Sequence, residues 1–206
     1  LERERRIVDS EHSKNIPNDF RRLFEVRKQT YVPGHPLQKF STGNLQTLGF
    51  TTRDDVIDFY TRYYSSNRMT LAVSGTQSLD ELQEIVVPRF YEIVDRNLDE
   101  ITFPTEYLAP NSRFRLLQVK PLSEIRSPTL SFPLPYTQQY YSSQPLNLLG
   151  LLVGHEGKGS LLSLLKVKNL ATGLSAGAGS STNSYSSFEV TVQLTPRGVD
   201  RHRDVI

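Results

Sequence analysis

Between Asn97 and Asn111 the apolar periodicity of this chain lapses, with prolines at 104 and 110 and few apolar residues at helical or strand spacing. On both sides of that gap, helix-like and strand-like patterns are mixed, with hairpin-like strand pairs rather than strict alternation. A chain so punctuated predicts an α+β fold in two domains, residues 1–97 and 112–206, joined by a linker at 98–111. Its 206 residues, 37% of them hydrophobic, are enough for packed cores.

From Arg3 to Thr30 the pattern is helical and rich in Arg, Lys and Glu, with Ile7, Val8, Leu23, Phe24 and Val26 as its apolar positions. Pro17 lacks the N–H that would bond to the Ser13 carbonyl, a cost of ~3 kcal/mol in a helix interior. The run should therefore break between Ser13 and Pro17, and restart with Asn15 or Ile16 as cap and Pro17 at the first helical position. Residues 32–47, with Pro33-Gly34-His35-Pro36 and Ser41-Thr42-Gly43-Asn44, read as an ordered loop with turns. Thr52 followed by Asp55 caps a helix whose stripe Val56, Phe59, Tyr60, Tyr63 and Tyr64 reads as a core face. Met69–Ser74 alternates as a strand ended by Gly75. Ser78 and Glu81 then form a capping box for a helix that should turn Leu82, Ile85, Val86, Ile93 and Val94 inward. In the second half, strands are expected at 114–119, 129–134, 170–179 and 188–194. Helices are expected at 145–153, at 160–168 after a glycine-rich turn, and near Gly198.

Several function classes are excluded at once. With 24 basic against 22 acidic residues the chain is close to balanced, unlike an electrostatic nucleic-acid binder. Zero cysteines rule out a disulfide scaffold, a cysteine nucleophile and thiolate-bound metal, and suit a reducing compartment, so a cytoplasmic location is expected. The charged start Leu1-Glu2-Arg3-Glu4-Arg5-Arg6 is no signal peptide, and no apolar run nears the ~20 residues that span a bilayer, so no membrane partner is expected. The chain starts without Met and ends inside an apparent helix, the pattern expected of a piece of a longer protein. Gly154-His155-Glu156-Gly157-Lys158-Gly159-Ser160 fails the phosphate-loop pattern, because Gly159 separates Lys158 from Ser160 and the turn follows a helix rather than a strand.

Glu4 and Glu11 stand one heptad apart in the first helix. At 1.5 Å per residue they are ~10 Å apart on one face, so they cannot share an ion and only one can be a direct ligand. By composition alone both are solvated surface groups. The blocks around them are more specific: Val8-Asp9-Ser10-Glu11-His12, Lys14-Asn15, Asp19, Arg22-Leu23, Thr30, His35-Pro36, Lys39-Phe40, Thr42-Gly43-Asn44, Tyr63-Tyr64-Ser65-Ser66-Asn67 and Ser78-Leu79-Asp80-Glu81-Leu82. Ile125-Arg126, Phe132-Pro133, His155-Glu156-Gly157 and Gly159-Ser160-Leu161-Leu162-Ser163 follow in order. Together, over nearly the whole chain, they resemble the insulysin/pitrilysin family of inverted zinc metallopeptidases.

That resemblance implies two incomplete α/β-sandwich domains with mixed or antiparallel sheets packed by helices. Residues 1–97 would form the C-terminal part of a catalytic domain, and 112–206 the N-terminal part of a non-catalytic, peptidase-like one. It also implies that Glu11 is a zinc ligand and Glu4 the carboxylate that orients the ligand histidines. Those histidines belong to H-x-x-E-H, and none of His12, His35, His155 and His202 has another His four residues away. The chain alone should then bind zinc negligibly and cleave nothing, with zinc held only in the full-length protein. His12, ~100° around the helix from Glu11, reads as a packing or surface residue. By the same resemblance Glu156 would accept a peptide's ammonium group and the backbone at Leu174 and Ala176 would complete an anchor by strand addition. Relatives have a glycine pair where this chain has Ala176-Gly177, and a histidine where it has Asn147. The partners implied are peptide substrates and the remaining domains of the parent, and faces left uncovered should favour a homo-oligomer or loose order before Thr51. Two other readings stay open: a non-catalytic homologue serving as scaffold or peptide-binding subunit, and a generic peptide-binding module acting through the strand at 170–179.

Overall fold

The first helical run breaks beside Pro17 as its chemistry requires, giving α1 (Glu2–Asn15) and α2 (Asp19–Lys28). The restart differs from expectation. Asn18, not Asn15 or Ile16, caps α2, because its side chain can accept the Arg21 N–H, leaving Pro17 in the intervening turn. The computed structural model describes residues 1–112 and 114–206. Its compact units are discontinuous in sequence: Leu1–Asn15 with Phe40–Ile101, and Ile16–Lys39 with Thr102–Ile206.

The first unit contains α1, α3 (Leu45–Leu48), α4 (Arg53–Tyr63) and α5 (Leu79–Phe90). Three capping boxes start the last three helices: Asn44 with Thr47, Thr52 with Asp55, and Ser78 with Glu81. The segment after α4 is tied to the one after α5 by a polar knot. The Ser65 Oγ accepts the Arg96 N–H at 2.8 Å, Asn67 donates to the Leu98 carbonyl at 2.9 Å, and Arg96 donates to the Tyr64 carbonyl at 2.8 Å.

Buried apolar side chains are missing from this unit among the described residues. The α4 stripe is not a core face: Phe59 is 57% exposed, and Val56, Tyr60, Tyr63 and Tyr64 are exposed with it. Helical spacing decides which residues share a face, but not whether anything covers that face. The aromatic rings pack on one another instead, Phe59 tilted against Tyr63 and Tyr60 stacked on Tyr64, with centroids 4.7 and 5.1 Å apart. Ile85 and Val94 are likewise exposed, while Leu82, Val86 and Ile93 are half-buried. Residues 69–74 are not a strand, since they join no ladder among the described residues and an extended segment becomes a strand only through one.

The second unit is built on an antiparallel sheet of β1 (Thr129–Pro135), β2 (Ala171–Ser181) and β3 (Tyr185–Leu194) in the order β1-β3-β2. Phe188, Val190 and Val192 point to one face of β3. There they pack with Leu174 of β2 beneath α6 (Pro145–Val153) and α7 (Leu161–Val167), which contributes the fully buried Leu162 and the buried Leu165. The short α8 (Pro196–Asp200) follows β3, with Thr195 as its cap. The 114–119 strand does not form: those residues are irregular and their apolar side chains exposed, and they join no ladder among the described residues.

The opposite sheet face is covered by α2 and by residues 30–38 and 104–109. The stretch expected as a linker is fastened here. The Val32 N–H donates to the Tyr107 carbonyl, the Ala109 N–H to Thr30, and Tyr31 bridges Leu108. Tyr107 stacks on Tyr185 of β3 with centroids 3.9 Å apart, Tyr31 packs edge-on to Tyr107, and Arg27 pairs with Glu189 at 3.0 Å. The buried His35 accepts the Leu37 N–H at Nδ1 and donates from Nε2 to the Pro104 carbonyl. Asp19 receives the Ser123 hydroxyl and the Leu122 and Ser123 N–H groups, which hold its carboxyl far below the usual carboxylate range.

Burial, with Tyr31 nearby, pushes both Tyr107 and Tyr185 up to about 12 from 10.0. A raised acid contributes stability below its unfolded value and loses it as pH rises through its folded one. Stability should thus hold below about pH 10 and fall between there and about 12. A phenolate absorbance titration with circular dichroism should show two of the ten tyrosines ionising late and together with unfolding; ordinary titration of all ten would contradict the stack. A second test concerns Gly150 of α6, where an added Cβ would lie 2.8 Å from the Ala176 carbonyl oxygen and 3.1 Å from the Gly177 Cα. Gly150→Ala should cost about 1–3 kcal/mol in denaturant unfolding, and an unchanged midpoint would disprove the close approach.

Candidate functional site

Two places hold the residues singled out from sequence, one in each unit. The first is α1, a charged helix whose start is supported by Glu2 with Arg6 at 3.3 Å and Arg5 at 3.5 Å, contacts worth a few tenths of a kcal/mol each. Its half-buried residues Arg5, Val8, Asp9 and His12 recur at i, i+3, i+4 and i+7, marking the face that meets residues 40–48. Val8 lies against Gly43, whose φ of +86° is a left-handed conformation that favours glycine. Asp9 accepts the Leu45 N–H at 2.9 Å, and His12 meets the Phe40 ring edge-on at 5.0 Å. His12 is thus a packing residue, as its position around the helix indicated.

Glu4 and Glu11 lie on the adjoining, uncovered face, within about 20° of one another around the axis and with Ile7 between them. Both are exposed, and neither enters an ion pair among the described residues. No cluster of three or more His, Asp, Glu or Cys able to hold a metal occurs among the described residues. The donor set offered by α1 is one carboxylate, which fits a single ligand of a four-coordinate site and not a whole one.

The second place is the turn from α6 to α7 and the neighbouring strand. Gly154 ends α6 by donating to the Gly150 carbonyl at 2.8 Å, Gly159 takes φ +85°, and Ser160 caps α7 by accepting the Ser163 N–H. Glu156 stands exposed in this turn with Lys166 of α7 3.6 Å away. Leu174 and Ala176 sit in β2, the terminal strand of the sheet, which among the described residues pairs with β3 on one edge and with nothing on the other. The Leu174 side chain belongs to the core, so the strand offers a ligand its backbone. Gly150 and Gly154 let α6 lie directly against the β2 backbone at Ala176 and Gly177.

Sequence reading overlooked a pocket of about 260 Å³ at the start of α6, bounded by Gln144 and Asn147, by Thr137, and by Ser181 and Ser186 of the β2–β3 hairpin. The one signal for it was the run Ser180-Ser181-Thr182, with Ser184, Ser186 and Ser187, where strand patterning leads one to expect larger residues. Ser186 is nonetheless 1% exposed.

A family model described as the peptidase M16 inactive domain matches residues 51–206. Human insulin-degrading enzyme is 40% identical over all of the chain, and the A-factor-processing enzyme of Saccharomyces cerevisiae 32%. The chain covers 21% of each, about a fifth of their length. The crystal structure of pitrilysin superposes with a TM-score of 0.86 at 26% identity, covering 99% of this chain and 22% of that one. A peptidase M16 inactive domain from Pseudomonas fluorescens shares the fold at a TM-score of 0.60 and 18% identity, covering 98% and 49%.

Because selective binding to a native state must raise its apparent stability, the single-carboxylate donor set predicts that stoichiometric zinc leaves the melting temperature of this chain unchanged. A rise of several degrees would reveal donors elsewhere.

Proposed function

The chain belongs to the peptidase M16 family, and from that membership we propose that it is an interior piece of a zinc metalloendopeptidase that hydrolyses peptides inside an enclosed chamber. Residues 1–97 would complete a catalytic domain and 112–206 begin a non-catalytic one. Glu11 would give zinc one carboxylate ligand, while two imidazoles and the general base come from H-x-x-E-H outside this chain. Glu4, one heptad away on the same face, would hydrogen-bond the far side of a ligand imidazole and fix its tautomer. When bound, zinc would acidify a water and polarise the scissile carbonyl. What these residues do is orient and neutralise, and with no base of its own in reach the chain alone is inactive.

The observation that carries this reading is the division of α1 into two faces. One is committed to residues 40–48 through Val8, Asp9 and His12, while the two glutamates stand on the face left open for an incoming helix. The second place would hold the substrate: the ammonium of a peptide at Glu156, and its backbone along β2 at Leu174 and Ala176. Lys166, 3.6 Å from Glu156, would compete with that ammonium. The competition is weak, since both side chains are largely in water.

A scaffold or peptide-binding subunit without catalysis is the alternative, favoured by the description of the matching family model as an inactive domain. Substitution in the full-length protein separates the two. Glu11→Gln should reduce zinc occupancy and peptide hydrolysis by more than about a hundredfold, and Glu4→Gln by about 10–100-fold. Equal zinc content and activity in wild type and Glu11→Gln would end the ligand assignment. A parent protein with no zinc and no H-x-x-E-H would leave the scaffold.

A further inference from the structure

We propose that the pocket at the start of α6 is a side-chain subsite for an uncharged carboxamide, that of Asn or Gln, at the third or fourth residue of a peptide lying along β2. The inference rests on the reading of β2 as a peptide-binding edge.

Hydrogen-bond accounting inside the pocket leaves a defined set of unused groups. Ser186 Oγ accepts both the Thr137 N–H at 3.1 Å and the Thr137 hydroxyl at 2.8 Å, so its own hydrogen goes to Ser181 Oγ at 3.0 Å. The Ser181 hydroxyl hydrogen is then left to donate. Asn147 Nδ2 donates to Gln144 Oε1 at 2.6 Å, which leaves the Asn147 Oδ1 as an acceptor and the Gln144 Nε2 as a donor. The helix start adds little to these: Pro145 has no N–H, and the Asn147 and Leu148 N–H groups donate to the Gln144 carbonyl at 3.0 and 3.3 Å, which leaves the Leu146 N–H. Converging donors and an acceptor match a group that carries both a carbonyl oxygen and an NH₂. Among the described residues no charged side chain lines the pocket, so an ionised carboxylate or ammonium would give up hydration with no opposite charge to receive it.

Position along the peptide follows from the packing of α6 on β2. Gly154 lies beside the Ala176 nitrogen and Gly150 beside the Ala176 oxygen and Gly177, so later residues of the helix meet earlier residues of the strand. Seven helical residues from Gly154 back to Asn147 span ~10 Å, the length of about three strand residues. A peptide whose amino terminus is held near Glu156, with its first residue level with Ala176 or Ser175, would therefore bring its third or fourth side chain level with Ala178, which lines the pocket.

The test uses this chain and heptapeptides with a free amino terminus and a fluorescein at the other end. Asn, Asp, Lys or Ala is placed at position 3 or 4, and binding is followed by anisotropy. The expected result is that Asn at one of the two positions binds about five- to tenfold more tightly than Ala, as one or two added hydrogen bonds allow, with Asp and Lys no better than Ala. Ser181→Ala, which takes the acceptor from the buried Ser186 hydroxyl and should lower the melting midpoint by a few degrees while the chain still folds, should remove most of that preference without weakening the Ala peptide. Equal binding of Asn and Ala at both positions, a preference for Asp or Lys, or a preference that survives Ser181→Ala would each overturn the subsite. Failure of every peptide to bind, or binding indifferent to acetylation of the amino terminus and to Glu156→Gln, would overturn the edge reading and the subsite with it.

Discussion

Burial of the inner face of β3 beneath α6 and α7 is the contact on which the second unit depends. Phe188, Val190 and Val192 meet Leu162, Leu165, Leu170 and Leu174 there, all less than a tenth exposed. Each such side chain contributes about 1.5–3 kcal/mol when fully taken from water. Remove that layer and α6 has nothing to rest on. The glycine-mediated approach of α6 to Ala176, the turn that presents Glu156 and the pocket at the helix start would all lose their geometry. The opposite face of the same strand is held by different means, a stack of tyrosines and an ion pair, so β3 anchors two layers of unlike chemistry.

The first unit has no comparable centre among the described residues. Its order rests on helix caps, the polar knot around Ser65 and the short-range packing of α1 on residues 40–48. Phe50, 94% exposed, and the α4 ring ladder are apolar surface of a size that isolated domains rarely leave in water. That pattern fits a chain spanning about a fifth of the length of its relatives. The same openness is what leaves Glu4 and Glu11 accessible.

Where local chemistry decides the outcome, the fold was legible. The Thr52 and Ser78 capping boxes, the break beside Pro17, α6 from Pro145 to Val153, α7 after Ser160 and the β2–β3 pair could all be read from spacing and capping alone. Features that depend on remote partners could not. Whether Met69–Ser74 becomes a strand is decided by a neighbouring strand, and whether Phe59 and Tyr63 are core is decided by what lies over them. The candidate site divides along the same line. Glu11 and Glu156 stand out by the blocks around them, whereas the hydroxyls of Ser181 and Ser186 gain meaning only when the hairpin folds back on Thr137 and Gln144.

The second unit is assembled from two pieces of chain that are far apart in sequence. Asp19 takes its hydrogen bonds from residues more than 100 positions later, and Arg27 finds Glu189 after 162. On a ribosome adding about 5–20 residues per second, α2 would emerge on the order of 10–30 s before the strand that it is to cover. Throughout that interval Arg27 would lack its carboxylate partner, so the seating of α2 on the sheet has to wait until the last strand is made.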